Sequence, residues 1–180
     1  ELFGEERKDG FIVYGALEKA SGGVLLIDEV TEIPLETQSK ILRVVIDQKF
    51  KRLNSNHDIK VDVRIFCSTS KDMKKEIKDG NFREDLYHRL NVFNIKIEPL
   101  NNRIEDIPLL IDYFIENICK TYNYKKFKIK DNNYLLNYEW PGNVRELRNL
   151  IERIAILAPG DDNEKIINII KESLSKSIED

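Results

Sequence analysis

The sequence predicts an α/β unit over residues 1–102 followed by a smaller, all-helical unit that begins at residue 103. Three observations carry that division. Up to Pro99, short apolar runs alternate with helix-spaced stripes; beyond Asn102 only the three-and-four helical spacing occurs. Two of the apolar runs, GGVLLIDE and VRIFCSTS, end in acidic or small polar residues, which places polar groups at the ligand-binding edge of an open sheet.

A chain of 180 residues with 41 % apolar content can bury one or two cores without disulfides or metals. Its two cysteines, Cys67 and Cys119, lie in apolar contexts with neither metal nor redox spacing, so buried thiols in a reducing compartment are expected. No apolar run approaches the roughly 18 residues needed to cross a bilayer. The opening ELFGEERKDG lacks the basic start and apolar middle of a signal peptide, and a cytoplasmic location is expected. That opening, patterned from Glu1 onward and without a Met, is expected of a piece of a longer protein. A net charge of −3 argues against binding a nucleic-acid backbone. The clusters Lys74, Lys75, Lys78 and Lys125, Lys126, Lys128, Lys130 accordingly read as solvated faces.

Along the first unit, Val24 to Ile27 after Gly22-Gly23 predict a central strand covered on both faces. Pro34 suits the first turn of a helix whose stripe is Leu35, Leu42, Val45 and Ile46. Residues 50–53 and 59–63 predict a hairpin around a polar turn, leading into a second strand, VRIFCSTS. A short helix through Met73 and Ile77 stops at Gly80, FREDLYHRL makes another, and NVFNIKIEPL predicts a further strand closed by Pro99.

In the helical unit, Ile107, Leu110, Ile111, Phe114, Ile115 and Ile118 define one long helix. A shorter one surrounds Leu135 and Leu136. WPGN then precedes a third, with Asn143 as N-cap, Glu146 returning the bond, and a stripe of Leu147, Leu150, Ile151 and Ile154. Arg145 falls in its first turn, off the stripe. Residues 161–180 predict an amphipathic C-terminal linker helix or oligomer contact through Ile166, Ile167, Ile170, Leu174 and Ile178.

Two adjacent carboxylates at a strand end, Asp28 and Glu29, can divide the work of nucleotide hydrolysis. One holds a hydrated magnesium ion and the other orients water. Phosphoryl transfer further needs positive groups aimed at the charge that develops on the phosphate, for which Arg83, Arg89 and Arg145 are the candidates. Each signal alone also fits a solvated strand end or a helix-surface ion pair.

Taken in order, GGVLLIDEV, CSTS, FREDLYHRL and WPGNVREL resemble the AAA+ module of bacterial sigma-54-dependent transcription activators, from Glu1 to about Ala158. The resemblance implies a three-layer αβα core, here missing its P-loop part, followed by a helical lid over 103–160. It implies a Walker B role for Asp28 (magnesium) and Glu29 (water activation). Thr69 and Ser70 would be sensor I, with Ser70 standing where the family usually has Asn; Arg83 and Arg89 would be arginine fingers for a neighbouring subunit; and Arg145 would be the sensor II contact to nucleotide. ATP and magnesium are the implied cofactors.

Two departures limit that inference. No G-x-x-x-x-G-K-[ST] occurs in the chain, so it is expected to bind ATP weakly, without turnover, and to be a monomer or weak dimer by itself. The family's GAFTGA loop, which engages the sigma factor, is shortened in EERKDGFIVYGALEKASGG and has lost its Thr, as in NtrX-type response regulators. Engagement of sigma-54 RNA polymerase is therefore doubtful, and DNA contact is expected only through a domain outside this chain. The expected role is nucleotide-dependent oligomerisation into a ring within a longer transcription regulator. The alternative is a non-catalytic interaction module that keeps the fold without ATP turnover.

Overall fold

The computed structural model describes residues 1–160 and 162–176. They divide into two units, residues 1–95 and the remainder, each with its own core.

The first unit opens with a hairpin, β1 (Glu5–Glu6) and β2 (Ile12–Val13), followed by α1 (Ala16–Lys19). Strand β3 (Val24–Ile27) leads through a 3-10 turn at Val30–Glu32 into α2 (Leu35–Asp47). A second hairpin, β4 (Lys49–Lys51) with β5 (Asp58–Lys60), precedes β6 (Arg64–Cys67), and α3 (Met73–Lys78) and α4 (Glu84–Leu90) follow. Strands β3 and β6 pair in parallel, Val24 opposite Arg64 through Ile27 opposite Cys67. Both strands therefore end at the same edge, and the polar residues after each are brought together. The predicted hairpin at 50–63 and the helices at Met73 and FREDLYHRL are all present.

Three expectations are corrected. Strand β3 is covered on one face only: Leu25 and Ile27 pack on the core, whereas Val24, Leu26 and the facing Phe66 are each more than half exposed. Its uninterrupted apolar run encodes two faces, and the described residues cover one. In α2 the fully buried positions are Gln38, Ile41 and Val44, while Leu35 and Ile46 face solvent. The stripe is turned toward Gln38 because that amide finds three partners in the interior. Residues 91–98 form no strand, and Val92, Phe93, Ile95 and Ile97 are 73–86 % exposed. Their alternation encodes a strand, yet no strand among the described residues offers them a ladder.

The second unit contains α5 (Asp106–Tyr122), α6 (Asn133–Leu136), α7 (Asn143–Leu157) and α8 (Asn163–Lys176). Its core runs from Leu100 through Ile107, Ile111 and Phe114 of α5 to Leu147, Ile151 and Ile154 of α7, with Trp140 fully enclosed. Helix α8 buries Ile166, Ile169 and Ile170 in the same cluster; Ile178 lies outside the described residues. The cap of α7 also departs from expectation. Gly142 is the N-cap, and Glu146 accepts from its N–H at 2.8 Å. The Asn143 side chain instead accepts from the Leu100 N–H at 2.8 Å, joining the helix start to the segment before α5.

Candidate functional site

Asp28 and Glu29 follow β3 directly, and Ser68, Thr69 and Ser70 follow β6, so the parallel pairing sets the two turns side by side. Hydrogen bonds lock them. The Ser68 hydroxyl donates to Asp28 Oδ1 and accepts from the Glu29 N–H at 3.3 Å. The Ser68 N–H donates to the Ile27 carbonyl at 3.0 Å, and the Val30 N–H to the Ser68 carbonyl at 2.9 Å. Glu29 Oε2 accepts from the Ser70 N–H at 2.9 Å. Thr69 Oγ1 is hydrogen-bonded to Thr31 Oγ1 at 2.9 Å, hydroxyl to hydroxyl, and accepts from the Lys71 N–H at 3.1 Å.

Glu29 adopts a left-handed backbone, φ 49°, ψ 58°. A non-glycine residue pays roughly 1–2 kcal/mol for that conformation, and it persists where the surroundings over-determine it. Here the Glu29 N–H and the Val30 N–H that follows it are both held by Ser68, and the Glu29 carboxylate is held by the Ser70 N–H. Asp28 is exposed, and the Ser70 hydroxyl has no hydrogen-bond partner among the described residues. The turn thus offers solvent one carboxylate and one unused hydroxyl.

Four sequence-predicted residues, Asp28, Glu29, Thr69 and Ser70, are therefore brought together. Arg83 is placed by other elements. Its N–H donates to Gln38 Oε1 at 2.9 Å, and its guanidinium lies bidentate on Asp85 (3.0 and 2.6 Å) with a further bond to Ser39 Oγ at 3.2 Å. That pairing holds the Asp85 carboxyl below its ordinary value. Arg89, in the last turn of α4, is exposed, and its side chain makes no hydrogen bond or ion pair among the described residues. Arg145 is exposed in the first turn of α7, in the second unit. Ser68, Thr31 and Gln38 are not among the residues that the sequence pattern singles out. Ser68 was within reach, since it is the first residue beyond a strand that pairs with the acid-bearing one.

No group of three or more metal-ligating side chains occurs among the described residues. Asp28 with the Ser68 hydroxyl fits magnesium only as a partial ligand set. Such an ion would have to keep most of its waters and take its remaining oxygens from a phosphate. No helix among the described residues is long and apolar enough to cross a membrane.

Residues 2–96 match the family described as the sigma-54 interaction domain, and residues 101–177 match the AAA+ ATPase lid domain. The chain is 47 % identical over 169 residues to the nitrogen assimilation regulatory protein NtrX of Azorhizobium caulinodans, covering 92 % of this chain and 37 % of that protein. It is 45 % identical over 169 residues to the formate hydrogenlyase transcriptional activator FhlA of Escherichia coli, covering 89 % of this chain and 24 % of that one. Crystal structures of NtrX from Brucella abortus in complex with ADP and with ATP each superpose with a TM-score of 0.89 at 42 % identity, covering 98 % of this chain and 40 % of that one. This chain spans less than half the length of these relatives. It belongs to the sigma-54 interaction domain family of AAA+ proteins and carries, with the helical lid, a part of their AAA+ domain that contains no P-loop.

Proposed function

We propose that this chain supplies the acid-bearing turn, the arginine fingers and the lid of an ATP-dependent oligomerising module in an NtrX-like transcription regulator, whose phosphate cradle comes from sequence outside it. The observation that carries this reading is the locked turn: Asp28 exposed at a strand end, with Glu29 held in a left-handed conformation by Ser68 and Ser70. In this assignment Asp28 meets magnesium and Glu29 orients the attacking water. Thr69 and Ser70 sense the γ-phosphate, Arg145 contacts the nucleotide of its own subunit, and Arg83 and Arg89 reach that of a neighbour. Fingers given in trans are worth about 10³ to 10⁵ in rate in related phosphoryl-transfer systems. The ATP and ADP complexes of Brucella NtrX support nucleotide as the ligand class.

Engagement of sigma-54 RNA polymerase is disfavoured in this reading, because the engaging loop is shortened. The β1–β2 connection is a tight turn closed by the Arg7 N–H on the Phe11 carbonyl at 2.9 Å. It is anchored to the second hairpin by the Glu6 N–H on the Leu53 carbonyl at 3.0 Å. A short, doubly tied hairpin has little reach.

A second reading, assembly without turnover, is favoured by one observation: the Glu29 carboxylate accepts the Ser70 N–H rather than standing free for water. Steady-state phosphate release decides between them, measured on the longer regulator carrying this chain and on its Glu29→Gln form. Hydrolysis in the first and a drop of at least a hundredfold in the second is the expected result, with no turnover by the 180-residue chain alone. Equal rates in the two longer proteins would remove the catalytic role of Glu29 and leave the assembly reading.

A further inference from the structure

The amide of Gln38 is fully buried, and each of its polar atoms is used. Nε2 donates to the Ile33 carbonyl at 2.7 Å and to the Asn81 carbonyl at 2.9 Å, while Oε1 accepts the Arg83 N–H at 2.9 Å. These partners belong to different parts of the unit. Ile33 caps the 3-10 turn that follows Glu29, and its N–H bonds the Val30 carbonyl. Asn81 and Arg83 flank Phe82 in the link between α3 and α4, and Phe82 is itself buried. One side chain on α2 thus ties the stretch leading from the acids to the residue that begins the finger helix.

We propose that Gln38 is a positioning residue: it fixes the backbone of Arg83 at the start of α4 and couples that arginine to the Asp28–Glu29 turn. The proposal rests on the finger role assigned to Arg83 above. The geometry gives the coupling a direction. Arg83 has no side-chain N-cap to settle α4, and its own N–H is held by Gln38 alone. The guanidinium beyond it is exposed and, among the described residues, bound only to Asp85 and Ser39, partners that a phosphate can displace. What must stay in register for a finger to reach a neighbour is therefore the main chain at residue 83, and a buried three-bond amide is the element that holds it. A shift of the acid turn on nucleotide binding would move the Ile33 carbonyl and, through Gln38, residues 81–83. The finger offered to the next subunit would then depend on the occupancy of the subunit that carries it.

Gln38→Met keeps the length of the side chain and removes all three bonds. In the 180-residue chain, amide hydrogen exchange at Arg83 is expected to quicken at least tenfold in Gln38→Met, with exchange at Ser70 changed less than threefold. Unchanged Arg83 protection would overturn the positioning role whatever the nucleotide chemistry. In the longer regulator, Gln38→Met is expected to lower ATP hydrolysis at least tenfold while ATP affinity stays within twofold. Mixing it with Glu29→Gln subunits should restore turnover, since one partner then supplies an intact acid and the other an intact finger. A general loss of structure gives no such complementation, and its absence sinks the coupling. If Gln38→Met does not fold, Gln38→Glu, which retains an acceptor for the Arg83 N–H and keeps at most one of the two donors, takes its place. Arg83 protection is then expected to persist while that of residues bonded around Ile33 falls, and loss of both together would refute the division of roles. Absence of hydrolysis in the unsubstituted regulator would strike the function proposed above and leave the exchange result standing.

Discussion

Glu29 shows how a single residue's conformation is imposed by its surroundings. A left-handed backbone is unfavourable for glutamate, so the turn exists because Ser68 and Ser70 bind both its amide and its carboxylate. The presence of two acids at a strand end was legible from the pattern, because an apolar run that stops at charge marks where a strand leaves the core. The locking serines were not, since their partners are set by pairing between strands 40 positions apart in sequence. Gln38 was illegible for another reason: a glutamine in a helix reads as surface, and only the three-way convergence of Ile33, Asn81 and Arg83 makes burial tolerable. Cys67 supplies a prediction at this scale. Burial raises its thiol from 9.0 to about 11, because the thiolate is poorly solvated between the sheet and the core. In the folded chain the group binds its proton more tightly than in the unfolded chain. Its contribution to stability is therefore complete below pH 9.0 and is lost as pH rises toward about 11. Alkylation by iodoacetamide near neutral pH should be about a hundredfold slower at Cys67 in the folded protein than in urea, rising tenfold per pH unit until about 11. Equal rates in both states would show the thiol to be freely solvated.

Among the elements, α1 depends most on close backbone approach. Its first N–H groups find no side-chain cap; the Ala16 N–H bonds the Glu1 carbonyl at 3.1 Å and the Leu17 N–H bonds the Leu2 carbonyl at 3.2 Å. That is possible because Gly4 and Gly15 pass in contact. A Cβ on Gly15 would run into Gly4 N and the Leu2 carbonyl oxygen, all backbone, with no flexible atom to give way. Gly15→Ala should cost about 1–3 kcal/mol of unfolding free energy, seen as a lower denaturant midpoint for the first unit. Gly23→Ala is the control: its new Cβ would lie 3.5 Å from the Ala20 carbonyl oxygen at ordinary φ, and a change within about 0.5 kcal/mol is expected. Matching losses at the two positions would refute the close-approach account. Element type was mostly legible in the sequence, because periodicity is local. The failure at 91–98 is equally physical: alternation at Val92, Phe93, Ile95 and Ile97 encodes readiness to pair, whereas strand formation requires a partner ladder that no local pattern can supply.

At the scale of the whole molecule, the two units are built to different standards of completeness. The second encloses one contiguous core, with Leu100, Ile107, Leu135, Trp140, Leu147, Ile151, Ile154, Ile166 and Ile170 almost wholly buried. The first rests on a two-stranded parallel sheet whose outer face exposes Val24, Leu26 and Phe66. Isolated two-strand pairing is marginal in water, and the apolar area left exposed there contributes nothing to folding. The units should therefore not unfold as one. Trp140, the only tryptophan, belongs to the second unit and donates its Nε1–H to the Leu135 carbonyl at 2.8 Å, so its fluorescence reports that unit alone. Far-ultraviolet circular dichroism reports both. In a urea titration the dichroism should begin to fall before the fluorescence shifts, leaving a window in which about the helical signal of α5, α7 and α8 survives around a native-like Trp140. Superimposable transitions would mean that the open sheet face is not a weakness of this chain and that the two cores fold as a single cooperative unit.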